Sequence, residues 1–256
     1  MKLAMYQGHP TDGDIEGAFA RIAALLASAA AAGARMLVLP ELFLPGYNRP
    51  DLHGTLAQPL DGPWMTRVAA LARAAGCGVT LGWAEREGDN VFNAATSFDA
   101  TGRRIGHHRK IQLFGAMERD SFTPAPCAYP VFEVEGVPTG MLICYDVEFP
   151  GHAAALAAAG ARMILVPTAN GIEFELVQRV LVSARAYENR LVIAYANWCG
   201  SERGLAFSGQ SFVVGPDARP LATAGDGEAL LIVDLDSIAR IPEAVLSTQA
   251  RDWRGA

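Results

Sequence analysis

The sequence has few cysteines, no long uninterrupted apolar segment and no concentration of basic residues. Its four cysteines lie far apart and include no C-x-x-C pair: Cys77, Cys127, Cys144 and Cys199. That spacing argues against a zinc ribbon and against a disulfide framework. The alanine-rich segments are interrupted by Arg or Gly well short of a membrane span, and no charged region precedes a long apolar run at Met1. We therefore predict a cytoplasmic protein with reduced thiols and no membrane partner.

The charge of the chain limits its partners further. With 51% hydrophobic and 19% charged residues, the 256 residues can bury a sizeable core. The net charge is −6, and the Lys and Arg residues are scattered, which argues against nucleic acid as a partner. These properties favour a small neutral or polar molecule as the ligand.

A diverged internal repeat organises the chain. Residues 29–40 (AAAAGARMLVLP) and 156–167 (LAAAGARMILVP) are identical at eight of twelve positions, and the other four positions are apolar in both copies. Each copy is typical of a helix end, a glycine in the left-handed conformation, and an apolar strand stopped by proline. Further helices, strands and a closing hairpin recur in the same order. Apolar strands alternating with helices favour sheets covered by helices, so the repeat predicts two stacked α/β layers.

Reactive or charged residues follow three of the predicted strands. Cys144 ends an apolar run, Glu41 follows the apolar run at 36–39, and Lys110 closes the extended segment at 107–110. Taken singly, Cys144 is more typical of an inert core cysteine, and Glu41 and Lys110 of solvated charges. In α/β folds, however, residues at strand C-termini form the ligand site. We therefore predict that all three meet at the seam between the two halves.

Together, these residue types suit nucleophilic catalysis. A thiol attacks only as the thiolate, and a partly desolvated carboxylate such as Glu41 is a suitable base for Cys144. The Lys110 ammonium and the backbone N–H of Tyr145 can stabilise the oxyanion that forms when a thiolate adds to a C=O or C≡N centre. Glu118, in the long loop after Lys110, is predicted to hold the lysine or a substrate amide N–H.

The sequence resembles the nitrilase, or carbon–nitrogen hydrolase, superfamily over nearly its whole length. Three motifs in the family's order carry the resemblance: LPELFLPGY at 39–47, RKIQLFG at 109–115 and LICYDVEFP at 142–150. The resemblance implies a four-layer αββα sandwich built from two related half-units in one domain, residues 1–256. It also implies no cofactor, and a triad in which Glu41 is the general base, Lys110 stabilises the oxyanion and Cys144 forms a thioester. Glu118 matches the family's additional carboxylate.

The same resemblance narrows the substrate. Cys144-Tyr145-Asp146 is typical of amidase branches, whereas true nitrilases tend to carry Cys-Trp-Glu. Branches resembling ω-amidase and carbamoylase place an arginine near position 148 to receive a substrate carboxylate, and this chain has Glu148, which would repel one. We therefore predict an amidase that converts a small neutral carboxamide to a carboxylic acid and ammonia. A nitrilase and an N-carbamoyl amide hydrolase are the alternatives within the family.

Motif position also suggests substrate-binding residues and an assembly. Tyr47, Asn170, Trp198 and Phe174 are candidates for the cleft, although ordinary core packing suits the aromatic ones equally well. The resemblance implies a homodimer or higher homo-oligomer with helices packed across the sandwich. The alanine-rich segment 152–161 is a candidate interface, and packing on its own sheet explains it as well.

Two other classes of protein compete with this interpretation. A non-enzymatic binding protein on the same fold is one, and the intact Glu41, Lys110 and Cys144 argue against it. A metal enzyme is the other, because His107 and His108 are adjacent and His152 is near Asp146 in the sequence. Neighbouring strand residues point to opposite faces, so both cannot easily bind one ion, and we predict no metal.

Overall fold

Two six-stranded sheets stack face to face in the computed structural model, which describes residues 1–254. The first half of the chain forms most of the first sheet. Its strands are β1 (Lys2–Gln7), β2 (Ala34–Val38), β3 (Gly78–Glu87), β4 (Asn90–Phe98) and β5 (Arg104–Arg109). Its helices are α1 (Ile15–Ala31), α2 (Pro50–Leu56), α3 (Pro63–Ala75) and α4 (Gly115–Ser121). Strands β1 to β3 are parallel, and β3 to β5 alternate in direction, so β2 and β5 end at the same edge.

The second half forms the second sheet and returns one strand to the first. Its strands are β6 (Phe132–Val134), β7 (Val137–Met141), β8 (Met163–Pro167), β9 (Val192–Ala196), β10 (Cys199–Glu202), β11 (Leu205–Ser208), β12 (Phe212–Val214), β13 (Pro220–Thr223) and β14 (Ala229–Asp234). Its helices are α5 (Pro150–Ala158), α6 (Val182–Asn189) and α7 (Gln249–Asp252). Short 3₁₀ turns span Cys144–Glu148, Ile172–Phe174, Leu235–Arg240 and Glu243–Val245, and a π-helical turn spans Val177–Leu181.

The strand orders confirm the predicted duplication. The first sheet runs β14-β1-β2-β3-β4-β5 and the second β13-β12-β9-β8-β7-β6. Strands β1 to β5 therefore correspond in order to β7, β8, β9, β12 and β13. The repeated glycines behave alike, because Gly33 after α1 and Gly160 after α5 have φ values of +80° and +100°. Glycine takes this left-handed conformation at little cost, which lets each helix turn directly into its strand.

Side-chain alternation produces the four layers. On β2, Met36 and Val38 face the interior between the sheets, while Leu37 packs toward the helices. On β8, the equivalent Met163 and Leu165 face inward. The outer faces are covered by α1 and α3 on the first sheet, and by α5 and α6 on the second. The predicted αββα sandwich follows, since each sheet buries both of its faces.

Three local features differ from the sequence-based expectation. The strand before the cysteine ends at Met141, so Cys144 opens a 3₁₀ turn and does not end a strand. The long loop predicted after Lys110 contains α4, which carries Glu118. Strand β14 pairs with β1 along all six residues of β1, an edge pairing that no local pattern announces. Among residues 1–254, no helix combines the length and apolar character needed to cross a bilayer.

Candidate active site

Lys110 lies at the centre of the site, directly after β5 and fully buried. Its ammonium donates to Glu41 Oε1 at 2.7 Å and to Glu118 Oε1 at 2.7 Å, and all three side chains are withdrawn from solvent. An isolated buried ammonium is costly, and two carboxylates within hydrogen-bonding distance offset that cost. Burial alone would lower the pKa of Lys110, but Glu118 and Glu41 outweigh it and raise that pKa well above its usual value. The lysine is therefore a permanent cation.

Hydrogen bonds hold the backbone of Glu41 and one of its two carboxylate oxygens. Its Oε1 also accepts from Asn93 Nδ2 at 2.7 Å, and its backbone carbonyl accepts from Trp198 Nε1 at 2.8 Å. Strand β3 passes so close that a Cβ on Gly82 would lie 2.6 Å from the Glu41 Cα, which explains the glycine there. Glu41 Oε2 has no hydrogen-bond partner among the described residues. One carboxylate oxygen is thus free to exchange a proton.

The protonation states of Glu41 and Cys144 follow from burial. Desolvation raises the pKa of Glu41 to about 7, although Lys110 acts in the opposite direction. Desolvation, with the negative charge of Glu41, also raises the pKa of the Cys144 thiol well above its ordinary value. The cysteine is therefore a neutral thiol at rest, and it needs a base at the moment of attack.

The turn that presents Cys144 is held by Asp146. Cys144 has φ of +45°, a left-handed conformation that bulky residues adopt at a cost. Asp146 Oδ2 accepts from the Ile143 amide at 3.1 Å, and Oδ1 accepts from the amides of Ile111 and Gln112 at 3.2 and 2.8 Å. This buried carboxylate therefore ties the cysteine turn to the segment that follows Lys110.

Glu118 anchors the lysine from α4. Besides Lys110, its carboxylate accepts from the Tyr47 hydroxyl at 2.7 Å and from the Phe114 amide at 2.9 Å. Both oxygens of Glu118 are therefore used inside the protein. This arrangement suits a fixed counter-ion for Lys110, and it leaves Glu41 as the carboxylate with a free oxygen.

A narrow cleft of about 50 Å³ opens onto the sulfur of Cys144. Aromatic rings form much of its wall: Phe114 lies 5.2 Å from Tyr145 and 5.3 Å from Phe174, centroid to centroid, in edge-to-face contacts. The complete lining is Tyr47, Phe114, Cys144, Tyr145, Glu148, Ala169, Asn170, Gly171, Phe174 and Leu205. A larger groove of about 890 Å³ lies elsewhere, between α5, α6 and the C-terminal segment, and contains none of the triad.

Most of the other candidate residues lie on the cleft wall, and one lies behind it. Tyr47, Tyr145 and Asn170 are on the cleft wall, as is Phe174. Asn170 Nδ2 donates to the Phe174 carbonyl and to Gln178 Oε1, each at 3.0 Å, so this side chain secures the wall. Trp198, expected at the cleft, lies behind it, fully buried and stacked on Phe43. Its indole N–H fixes the Glu41 backbone by donating to the carbonyl of that residue.

The adjacent histidines point to opposite faces of β5, as their strand position predicts. His107 faces Glu85, with Nε2 3.0 Å from Oε2, while His108 Nε2 lies 3.1 Å from Asp146 Oδ2 on the buried side. Within the described chain, no three His, Cys, Asp or Glu side chains are grouped as metal ligands.

Comparisons with known proteins agree with this geometry. The model of the carbon-nitrogen hydrolase family matches residues 2–242. The chain is 43% identical over 238 residues to a Pseudomonas protegens protein described as a hydrolase in the pqqF 5' region, covering 92% of this chain and 83% of that protein. It is 32% identical over 237 residues to an (R)-stereoselective amidase of a Pseudomonas species, covering 92% and 85%.

A solved structure gives the same result for the fold. The amidase from Nesterenkonia sp. AN1, as a double mutant with Gln in place of a Glu and Ala in place of a Cys, in complex with acrylamide, superimposes with a TM-score of 0.89. The two proteins share 33% identity over 99% of this chain and 94% of the other. The chain belongs to the carbon–nitrogen hydrolase family, and the predicted family and αββα fold are confirmed. It is a hydrolase of carbon–nitrogen bonds in which the positions of Glu41, Lys110 and Cys144 fit the Glu-Lys-Cys triad.

Three site residues escaped the sequence analysis as individual side chains. Asn93 orients Glu41, Asp146 orients the cysteine turn, and Phe114 forms the aromatic wall. Asp146 carried the clearest available signal, because an Asp two residues after the nucleophile suits a turn that bonds its own backbone. Asn93 and Phe114 carry no comparable local signal, since both contacts depend on tertiary structure.

Proposed function

We propose that this hydrolase is a cysteine-dependent amidase that acts on small carboxamides without an anionic group. The supporting observation is the buried ion cluster beside Cys144: one ammonium, one fully bonded carboxylate and one carboxylate with a free oxygen. Catalysis of acyl transfer needs a nucleophile, a base and a fixed positive charge, and Cys144, Glu41 and Lys110 supply them in that order. Because both halves of the chain contribute, residues 1–256 act as one catalytic domain.

The reaction proceeds through a thioester. As the sulfur of Cys144 bonds to the amide carbon, its proton passes to Glu41, and Lys110 and the Tyr145 amide stabilise the oxyanion. Glu41 then protonates the leaving nitrogen, the C–N bond breaks, and ammonia departs. Water, deprotonated by Glu41, attacks the thioester; the C–S bond breaks, and the sulfur recovers the proton. The pKa of Glu41 near 7 suits a group that must both accept and return protons.

The cleft supports the size limit in this proposal. A volume of about 50 Å³ bounded by aromatic rings accommodates a short acyl group, whereas drug-sized ligands occupy pockets of roughly 300–1,000 Å³. The Nesterenkonia amidase binds acrylamide, an amide of the same small class. Glu148 on the wall disfavours substrates with a carboxylate.

The proposal is tested by ammonia release from three small compounds that share an ethyl group: propionamide, propionitrile and N-carbamoylethylamine. We expect rapid release from the amide and release from the other two slower by at least about 100-fold, a difference of roughly 2.7 kcal/mol in transition-state stabilisation. A dominant rate on the nitrile or the carbamoyl compound would replace the amidase proposal with the corresponding alternative. No release from any compound in a wider amide panel would favour the non-enzymatic binding protein.

We also propose that the protein is a homo-oligomer that works in the cytoplasm, where its four free cysteines stay reduced. The groove beside α5 is lined by small residues such as Ala154 and by Trp253, which is 80% exposed. We expect sedimentation equilibrium to show at least a dimer. Ala154→Glu, on the exposed face of α5, should shift it toward the monomer, while Glu16→Gln on α1 should not. A monomeric wild type would contradict this proposal.

A further inference from the structure

Glu148 has no role in the proposed reaction, yet it lies on the cleft wall beside Cys144. It is the only charged residue among the ten that line the cleft in the described part of the chain. The others are aromatic, apolar or neutral polar side chains. A charged group in such surroundings is expensive unless a partner compensates it. Glu148 therefore requires a positively charged partner.

The protein itself does not supply that partner. Within residues 1–254, the Glu148 carboxylate forms no ion pair and no hydrogen bond. The backbone carbonyl of Glu148 accepts from Arg185 Nη2 at 3.0 Å. The guanidinium of Arg185 is committed to Glu188, with Nη1 3.0 Å from Oε2. Arg185 thus holds the backbone of Glu148 in place and leaves its carboxylate available.

The electrostatic surroundings agree with an uncompensated carboxylate. Glu148 is half-buried, and desolvation raises its pKa above the usual value, while the positive charge of Lys110 acts in the opposite direction. Lys110 itself donates to Glu41 and Glu118, and among the described residues it forms no ion pair with Glu148. A cation entering the cleft would therefore find a carboxylate with a free position.

We propose that Glu148 is a specificity-determining residue that selects amides whose short acyl chain carries an ammonium group. This inference rests on the proposed amidase function and refines its substrate class. We expect the highest kcat/KM for amides with an ammonium group on the acyl chain, a lower value for isosteric apolar amides, and the lowest for anionic amides. The 3₁₀ turn Cys144–Glu148 determines the distance between the nucleophile and Glu148. A rise of about 2 Å per residue separates their Cα atoms by roughly 8 Å. An ammonium a few bonds from the scissile carbonyl spans that distance once the glutamate side chain extends toward it. The charge-assisted hydrogen bond is then made in a partly desolvated site, where it is strongest.

The test compares β-alaninamide and butyramide, which have the same chain length and differ in a terminal ammonium versus a methyl group. We expect the wild type to prefer β-alaninamide in kcat/KM by about tenfold at neutral pH, and succinamate to be the poorest of the three. Glu148→Gln keeps the size and removes the charge. It should bring the β-alaninamide to butyramide ratio to about one, chiefly by lowering kcat/KM on β-alaninamide.

Glu173→Gln is the matched control. This exposed glutamate precedes the cleft residue Phe174 in the sequence, and it is not itself part of the cleft wall. It should keep the wild-type ratio, since exposed charges are screened. An unchanged ratio in Glu148→Gln overturns the inference, while turnover of butyramide in the same assay leaves the amidase proposal standing. If Glu148→Gln fails to fold, inhibition of the wild type decides: propylammonium should inhibit at lower concentration than the neutral isostere 1-propanol by about tenfold, and equal inhibition overturns the inference.

Discussion

Cys144→Ala is expected to lose amide hydrolysis by roughly four orders of magnitude or more, the scale seen when an enzyme loses its nucleophile. Cys144 carries the only thiol among the cleft residues that the structure describes. The substitution removes one sulfur from a buried position and keeps the Asp146 bonds that shape the turn. Thermal unfolding should therefore change little, which separates loss of chemistry from loss of fold.

Cys127→Ala is the matched control for that experiment, because Cys127 is free and exposed and is not part of the cleft. It should retain the wild-type rate of ammonia release on propionamide. Intact-mass measurement on the wild type during turnover should detect one acyl group per chain, absent in Cys144→Ala and present in Cys127→Ala. Ammonia release by Cys144→Ala at a rate near that of the wild type would refute the nucleophile assignment.

Much of the fold could be predicted from the repeat, for a physical reason. The two GARM segments each turn a helix into a buried parallel strand, and the glycine conformation is a local property of the chain. Each of the two resulting sheets has apolar side chains on both faces, so stacking the sheets buries their inner faces. The place of β14 could not be predicted this way, because pairing with β1 joins residues more than 220 positions apart through backbone bonds that any sequence can form.

The site was predictable to the extent that it depends on strand ends. Glu41 and Lys110 follow strands that finish at one edge of the first sheet, so sequence position alone brings them near each other. The sequence does not show which of the two carboxylates is the base and which is the counter-ion of Lys110. Only the structure shows that Glu118 uses both oxygens internally while Glu41 keeps one free, because hydrogen bonds from Tyr47 and Phe114 leave no trace in local patterns. Trp198 was expected at the cleft because its position in a motif does not disclose the direction in which its ring packs.

Glu41→Gln is expected to reduce kcat/KM on propionamide by about a thousandfold, within the usual range for a general acid–base residue. Gln is close in size and can keep the bond from Asn93 or Lys110 to its carbonyl oxygen, but it cannot accept the thiol proton of Cys144. Since that thiol has a raised pKa, attack without a base is rare. The loss should fall on both acylation and thioester hydrolysis, because Glu41 serves both steps.

The pH dependence distinguishes a base from a merely structural carboxylate. Burial raises the pKa of Glu41 to about 7, so its carboxyl group is protonated below that pH and cannot accept a proton. Wild-type kcat/KM should therefore rise with pH through the region near 7, well above the range of an ordinary glutamate. Glu41→Gln should lose this limb along with the rate, whereas Glu87→Gln, an exposed carboxylate on β3, should keep both. A limb that persists unchanged in Glu41→Gln would assign the titration, and with it the proton transfer, to another group.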